Sequence, residues 1–578
     1  MGRAVRRGWN LPPSSVTYPT SVNSRPPAEP RPFWQDEREG RLPLGLDFTT
    51  DSGQAAPPMS KRFYLTTAID YVNGAPHLGH AYEKVLADVI ARSRRSMGQS
   101  VFFLTGLDEH GQKVQQAAQD QGKTPQEYCD GLAIQWQGLT TTLGLTNDDF
   151  VRTTQPRHRQ VVQALLHRLH DTGHFYKAAY TGFYSVKEET FLTVKDRNPD
   201  GTWDPQWGKV VELVEENWYF RLGVHQQWLI EYIEANPGFI QPDYRRNEVL
   251  GFLRSQTLED LCISRPVARL NWGIPLPFDP EFVTYVWFDA LVNYYSVPAA
   301  LGDPGAAAGA PAGTGAGPEL WPADLHVIGK DILKFHAVYW PIMLKALGAA
   351  LPKQLLVHGW WQKNGAKLSK STGNVVDPFA VIAEWGLDAF RYYVVRELAI
   401  GPDGNWTDEG FRSRYNAELA NGLGNLVNRA LNMLTKYRGG VVPTRSDKVF
   451  VTRTTSTADQ VKAHLLAFDL QTALQEIWQL VTVANQYVEQ TRPFSLAKDP
   501  AKAQELDDVL YDLVEVCRVL AVLIWPFIPG TAEKIYAQLQ APGSPSDWKN
   551  VAWGGLTAGH QIGTPAPLFP RKDLAPVK

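Results

Sequence analysis

The chain has 578 residues, 44% hydrophobic and 20% charged, the mix of an ordinary globular protein too long for one core, so about two to four domains are expected. Lys+Arg 57 against Asp+Glu 60 gives a formal charge of −3, which excludes a generally basic nucleic-acid binder and leaves any such contact to local patches. Three scattered cysteines, Cys129, Cys262 and Cys517, exclude a C-x-x-C metal site and a disulfide framework, and no apolar run reaches the roughly 18 residues of a membrane span, so a reduced, cytoplasmic protein is expected.

Residues 1–58 are Pro-rich and Arg-bearing, with no periodic apolar face. They read as a disordered extension or as a start assigned upstream of the true initiator Met59. A transit peptide is the less favoured reading, because Asp36, Glu37, Glu39 and many prolines break an amphipathic presequence. Residues 59–174 then alternate strand and helix. Phe63 to Ile69 is an apolar run, Ala81 to Met97 carries Val85, Leu86, Val89 and Ile90 near helical spacing and stops at Gly98, and Ser100 to Gly106 is a short buried strand ending in Asp108-Glu109-His110-Gly111. Such alternation implies a parallel sheet, whose ligands collect at the strand C-termini.

Residues 175–260 break that pattern. Phe183 to Val186 and Asn217 to Leu222 are strand-like about a Gly/Asp/Pro-rich turn at Asn198 to Gly208, which suggests an inserted domain. The α/β pattern returns over 261–373, beginning visibly at Val283 to Asp289, and Gly302 to Pro318 is an Ala/Gly/Pro surface loop. Residues 374–410 read as a linker and 411–578 as an antiparallel helix bundle, with helical runs from Phe411 to Lys436, Thr457 to Gln490 and Ala503 to Gln540.

Two distant stretches suit a triphosphate. In Pro76-His77-Leu78-Gly79-His80 a strand turns through Pro and Gly into a helix, leaving free backbone N–H groups and a positive dipole end to face an anion. Two neutral imidazoles there can donate to phosphate oxygens without a permanent charge. Lys367-Leu368-Ser369-Lys370-Ser371, in a glycine-flanked loop after Gln354 to Gly359, supplies mobile ammonium groups and hydroxyls for charge developing on a departing phosphate. Neither is persuasive alone; in this order they point to nucleotidyl transfer.

Between them lie pocket candidates. Tyr71 either closes a pocket beside the phosphates or simply packs. Asp108, just past a buried strand, either pairs with a substrate ammonium or caps a helix. Trp287 and Tyr294, expected on a strand running into a helix, flank Ala290 and make an aromatic, uncharged pocket suited to an apolar side chain such as a thioether, although 19 tryptophans make aromatic clusters common here. His336 and Trp340 share a helical face, where a lone histidine is usually structural but in this context reads equally as a ligand contact. In the helical part, Asn425 and Arg429 present an amide and a guanidinium side by side, either an ordinary polar face or a reader of splayed RNA bases.

With these residues in view the chain resembles the class I aminoacyl-tRNA synthetases, and among them the methionyl-tRNA synthetases, from about Ser60 to Gln540. His77 to His80 matches the family's HIGH element and Lys367 to Ser371 its KMSKS element; Ala68 to Gly74, Phe103 to Gly111, Val286 to Tyr294, Gly329 to Trp340 and His358 to Ser371 match the methionine branch. The resemblance implies a Rossmann-type parallel-sheet catalytic domain with an inserted connective domain, followed by an α-helical anticodon-binding bundle. It implies a methionine–tRNA ligase that forms methionyl-adenylate from methionine and ATP, the ATP entering as its Mg²⁺ complex, and passes methionine to the terminal adenosine of tRNA(Met), initiator tRNA included.

By the same resemblance the methionine pocket would use Ala68, Ile69, Tyr71, Asp108, Trp287, Ala290, Tyr294, Ile332 and His336, with Asp108 on the amino group and Arg265 near Asp108. ATP would meet His77, Gly79, His80, His358, Gly359, Lys367, Ser369 and Lys370, of which His77, His80, Lys367 and Lys370 would be catalytic. Asn425, Arg429 and Phe494 would meet the anticodon. Two departures stand out. The inserted stretch Tyr184 to Phe220 has no cysteine where many relatives carry zinc knuckles, so no zinc is expected and Trp203, Trp207 and Trp218 must help hold it together. Phe494 stands where the family usually stacks a tryptophan on the anticodon. A monomer is expected, since the chain ends soon after the bundle without the dimerisation domain of some relatives. The rivals are another class I synthetase for an apolar amino acid and a non-catalytic tRNA-binding paralogue.

Overall fold

The computed structural model describes residues 62–572, apart from 73, 187–189, 193–195, 310–318, 364, 368–374 and 445–448. The expectations for residues 1–58 therefore lie outside the described residues, as do those for most of the Ala/Gly/Pro loop.

The first half runs β1 (Phe63–Thr67), β2 (Asp70–Tyr71), α1 (Leu78–Ser96), β3 (Val101–Asp108), α2 (Gln112–Asp120), α3 (Pro125–Thr142), β4 (Asp149–Arg152) and α4 (Pro156–Asp171). All eight residues of β3 are buried, as a strand covered by helices on both faces requires. α1 starts earlier than its apolar spacing suggests, because His77 and His80 form a capping box ahead of Ala81; Arg94 and Arg95 complement the dipole of its last turn.

The inserted region holds β5 (Phe175–Ser185), β6 (Thr190–Leu192), β7 (Val210–Phe220), α5 (Gln226–Ala235), β8 (Ile240–Gln241), α6 (Asp243–Ser255) and β9 (Leu261–Cys262). β5 and β7 pair antiparallel along their whole length, from Phe175 opposite Phe220 to Ser185 opposite Val210, in a four-stranded sheet ordered β6-β5-β7-β9. At the far end Arg197 lies over the rings of Phe183 and Trp203, 4.3 and 4.9 Å from their centroids, and Ser185 donates to the Trp207 carbonyl. At the near end the Trp218 indole donates to Asp279.

β10 (Ser264–Pro266), β11 (Pro275–Leu276) and β12 (Asp279–Thr284) form a small sheet leading into α7 (Val286–Ala290) and α8 (Asn293–Ala300). β13 (Leu325–Gly329), α9 (Trp340–Leu347) and β14 (Leu355–His358) complete the core sheet, whose order is β2-β3-β1-β13-β14-β8 with β4 beside β3. Each of those pairings is parallel. β8 thus returns from inside the expected insertion to the core sheet, as two residues too short to read as a strand. β15 (Trp361–Lys363), β16 (Ala366–Lys367) and, after two helices, β17 (Gly404–Trp406) make a small three-stranded sheet.

Those two helices, α10 (Pro378–Trp385) and α11 (Leu387–Arg396), occupy the stretch read as a linker. The fully buried Arg391 on α11 pairs with Asp88 on α1 at 2.8 Å and donates to the carbonyls of Leu143, Pro526 and Phe527, tying the parallel-sheet half to the helices beyond. Those are α12 (Asp408–Arg414), a π-helix over Tyr415–Gly424, α13 (Asn425–Arg438), α14 (Val451–Leu466), α15 (Leu470–Thr491), the short α16 (Pro493–Leu496), α17 (Ala503–Ile524) and α18 (Pro529–Leu539). α17 is buried on every side from Val509 to Ile524, so it is the central helix of the bundle. No helix among the described residues is long and apolar enough to cross a membrane.

Candidate active site

A cavity of about 550 Å³ opens at the C-terminal edge of β1, β3, β13 and β14, where an open parallel sheet holds its ligands. Its walls bring together Ala68, Ile69 and Tyr71, then His77, Gly79 and His80, then Asp108, Trp287, Ala290 and Tyr294, and finally Ile332, His336, His358 and Gly359. Trp287 and Tyr294 reach it from the two short helices α7 and α8, a local structure their spacing does not reveal.

The histidine pair of the α1 N-terminus forms one side of the cavity. The two rings stack at 3.8 Å, His77 Nδ1 accepts from Gly79 N at 3.1 Å, and His80 Nδ1 accepts from His77 N at 3.1 Å. A ring that accepts at Nδ1 carries its proton on Nε2, so each imidazole is a neutral donor at the other nitrogen. His80 also meets the edge of the buried Trp136 at 4.7 Å. Gly359 is the only residue type its place allows: a Cβ there would lie 2.0 Å from the Pro402 carbonyl oxygen. His358 beside it bonds the Gly359 carbonyl through Nδ1 at 2.8 Å and Glu83 through Nε2 at 3.1 Å. Burial alone would depress His358, but the hydrogen bond and charge of Glu83 carry it above its ordinary value.

The other side is aromatic and neutral. Tyr294 and His336 share a 2.7 Å hydrogen bond, and His336 Nδ1 donates to the Ile332 carbonyl at 3.0 Å. Burial holds His336 down to about 4. Trp287 stacks on Phe335 with centroids 3.8 Å apart. Lys113, which sequence reasoning missed, lines the cavity with its ammonium 5.8 Å from the Tyr71 ring. Also missed is a buried chain behind the wall, in which Asp289 accepts from His110 at 2.6 Å and His158 at 2.7 Å, and His158 meets Ser296 at 2.8 Å. Burial pushes Asp289 up, but the two histidines outweigh it and leave its carboxyl at about 2. This chain sets the spacing between the end of β3, which carries Asp108, and α7, which carries Trp287. Pairs so distant in sequence leave no spacing signal.

Other expected residues lie elsewhere. Arg265 is buried over Tyr285 and Tyr184, donates to the Ser264 carbonyl, and is not among the cavity-lining residues. Lys367 ends the short strand β16, and Ser369 and Lys370 lie outside the described residues. Among the described residues no group of three or more His, Cys, Asp or Glu is placed to hold a metal ion.

A second concavity, about 1020 Å³, lies in the bundle between α13, α14 and α15. Asn425 and Arg429 line it with Arg396, Arg453, Trp478 and Gln479, and Arg429 pairs with Glu489 at 2.7 Å. Phe494 is not brought to this groove. It sits on α16 past Arg492, whose left-handed backbone (φ 47°) ends α15, and is 47% exposed.

The chain matches the family model of tRNA synthetases class I (M) over residues 63–203 and 206–431, and that of the anticodon binding domain of methionyl tRNA ligase over 438–573. It is similar to the methionine–tRNA ligase of Bacillus subtilis (strain 168), 43% identical over 89% of this chain and 79% of the relative. It is similar also to that of Rhizobium meliloti (strain 1021), 41% identical over 88% and 98%. Among solved structures it resembles Mycobacterium tuberculosis methionyl-tRNA synthetase in complex with methionyl-adenylate, with a TM-score of 0.81 at 38% identity, covering 88% of this chain and all of that one. The cavity, the bundle and these likenesses agree, and the chain belongs to the methionyl-tRNA synthetases, a family of class I aminoacyl-tRNA synthetases.

Proposed function

We propose that this chain is a methionine–tRNA ligase. The methionine carboxylate attacks the α-phosphorus of ATP, a carboxyl–phosphorus bond forms, the bond to the β-phosphate breaks, and pyrophosphate leaves methionyl-adenylate. The 2′-hydroxyl of the terminal adenosine of tRNA(Met) then attacks the acyl carbon, giving methionyl-tRNA and AMP. The observation that carries this reading is the single cavity with a stacked imidazole pair on one side and the neutral Tyr294–His336 aromatic wall on the other.

In this reading catalysis of the first step is chiefly alignment and charge stabilisation. His77 and His80 donate Nε2–H to the phosphates, which is supported by the engagement of both Nδ1 atoms with backbone N–H groups. Asp108 takes the substrate ammonium. Tyr71, Trp287 and His336 enclose the thioether, for which a neutral, polarisable surround is favourable. Lys367 and Lys370 meet the departing pyrophosphate, ATP enters as its Mg²⁺ complex, and Asn425, Arg429 and Phe494 meet the anticodon of tRNA(Met), initiator included. The enzyme works as a cytoplasmic monomer.

The test is ATP–pyrophosphate exchange with each apolar amino acid in turn, followed by charging of tRNA. Exchange with methionine above all others is expected. Exchange favouring valine, isoleucine or cysteine would overturn the assignment, and a Lys370→Ala variant at parental rate would remove that lysine from the mechanism.

A further inference from the structure

Behind the cavity wall, and not itself lining it, is the ammonium of Lys84 on α1, with a side chain 2% exposed. It reaches the Asp70 carboxylate at 2.9 Å, the Ala68 carbonyl at 3.1 Å and Glu83 at 3.4 Å. Glu83 in turn holds His358 at 3.1 Å. Ala68, Asp70, Glu83 and His358 all line the cavity, the first two beside Tyr71 and the last next to Gly359.

We propose that Lys84 is a positioning residue for adenylate formation, a buried cation that locks the methionine-side wall (Ala68 and Asp70) to the nucleotide-side wall (Glu83 and His358). The inference rests on the methionine–tRNA ligase reading. Its physical basis is the geometry of a two-substrate reaction. The attacking carboxylate and the α-phosphorus are held by different walls, and a misplacement of about 1 Å between them costs up to about a hundredfold in rate. An ammonium has three donors, and here three acceptors from β1's end, β2 and α1 converge on one buried point. Binding of either substrate alone needs only its own wall. Their mutual alignment needs both.

The experiment compares the parent with an Asp70→Asn/Lys84→Met variant and with Lys84→Gln, using methionine-dependent ATP–pyrophosphate exchange with both substrates varied, alongside thermal unfolding. The double variant removes cation and anion together, because Lys84→Met alone leaves Asp70 as an uncompensated buried charge, whereas Glu83 keeps its bond to His358; Lys84→Gln instead removes the charge but keeps an amide donor. Expected in either variant that unfolds cooperatively is a fall in kcat of fivefold or more, with KM for methionine within threefold of the parent. A purely structural role lowers the unfolding midpoint but leaves kcat per folded molecule alone. A folded variant with kcat reduced less than fivefold overturns the proposal, as does a loss confined to KM. Failure of both variants to fold assigns Lys84 to stability and overturns it too. A parent chain that exchanges no pyrophosphate with methionine overturns the ligase reading as well, which separates the two failures.

Discussion

Tyr294 donates its hydroxyl to His336 Nε2 across 2.7 Å, while His336 Nδ1 donates to the Ile332 carbonyl at 3.0 Å. A carbonyl only accepts, so Nδ1 must carry the proton, and the ring is the neutral tautomer with Nε2 as acceptor. Burial agrees, holding His336 at about 4 against its ordinary 6.5.

The pH dependence follows with a definite sign. Below about pH 6.5 an unfolded histidine takes a proton that the buried His336 refuses until about pH 4. Its contribution is therefore complete above 6.5 and is lost as the pH falls toward 4, amounting to about 2 kcal/mol by pH 5. His326, also depressed by burial, adds in the same direction. Thermal unfolding at pH 7.5 and 5.0 should show a smaller acid-side fall in midpoint for His336→Gln than for the parent; equal falls would refute the neutral buried imidazole.

Tyr294→Phe removes the hydroxyl that, among the described residues, satisfies His336 Nε2, and leaves a buried acceptor unpaired, a cost of about 1–3 kcal/mol. The bond from the Tyr64 hydroxyl to the Tyr294 carbonyl is to backbone and survives. We expect a lower unfolding midpoint and a methionine KM raised about tenfold, read by exchange kinetics, with KM for ATP changed little.

His80→Asn should reduce exchange kcat about a hundredfold, the usual scale for losing one preorganised donor at a developing charge. Methionine affinity, followed by tryptophan fluorescence, should stay within threefold of the parent. Equal losses in binding and rate would mean that the imidazole serves only to cap α1, which it also does by accepting from His77 N.

Gly359→Ala tests shape rather than charge. The added methyl would sit 2.0 Å from the Pro402 oxygen, a backbone atom that cannot swing aside, so the strand end beside His358 must move. The expected result is a KM for ATP raised tenfold or more and a lower unfolding midpoint.

Arg429→Ala should weaken charging of tRNA by about 1–3 kcal/mol in kcat/KM, roughly five- to a hundred-and-fiftyfold. Pyrophosphate exchange, which needs no tRNA, should remain within twofold. Because Glu489 holds Arg429 at 2.7 Å, Glu489→Gln should raise tRNA affinity in the same assay.

Much of this molecule was legible in its residues taken in order. The His77 to His80 turn, the run into Asp108 and the Asn425/Arg429 spacing each depend on neighbours a few positions apart, and such short-range chemistry is written directly in a sequence. The parallel sheet was legible from alternation, but not β8, whose two residues Ile240 and Gln241 carry no period. The helices α10 and α11 were hidden too, since Gly386 and Pro378 punctuate a stretch that reads as a connection.

What only the tertiary structure decided is the set of meetings between distant residues. Lys84 finds Ala68 and Asp70, His110 and His158 converge on Asp289, and Glu83 reaches His358 some hundreds of residues away because β1 and β14 flank β13 in one sheet. It also places Phe494 on α16, past the left-handed Arg492 and not among the residues that line the groove of Asn425 and Arg429. The physical reason is range. Propensity, capping and motif chemistry act over a few residues and belong to the sequence itself, whereas the pairing of buried charges is set by which strands lie side by side, and that is known only once the chain has folded.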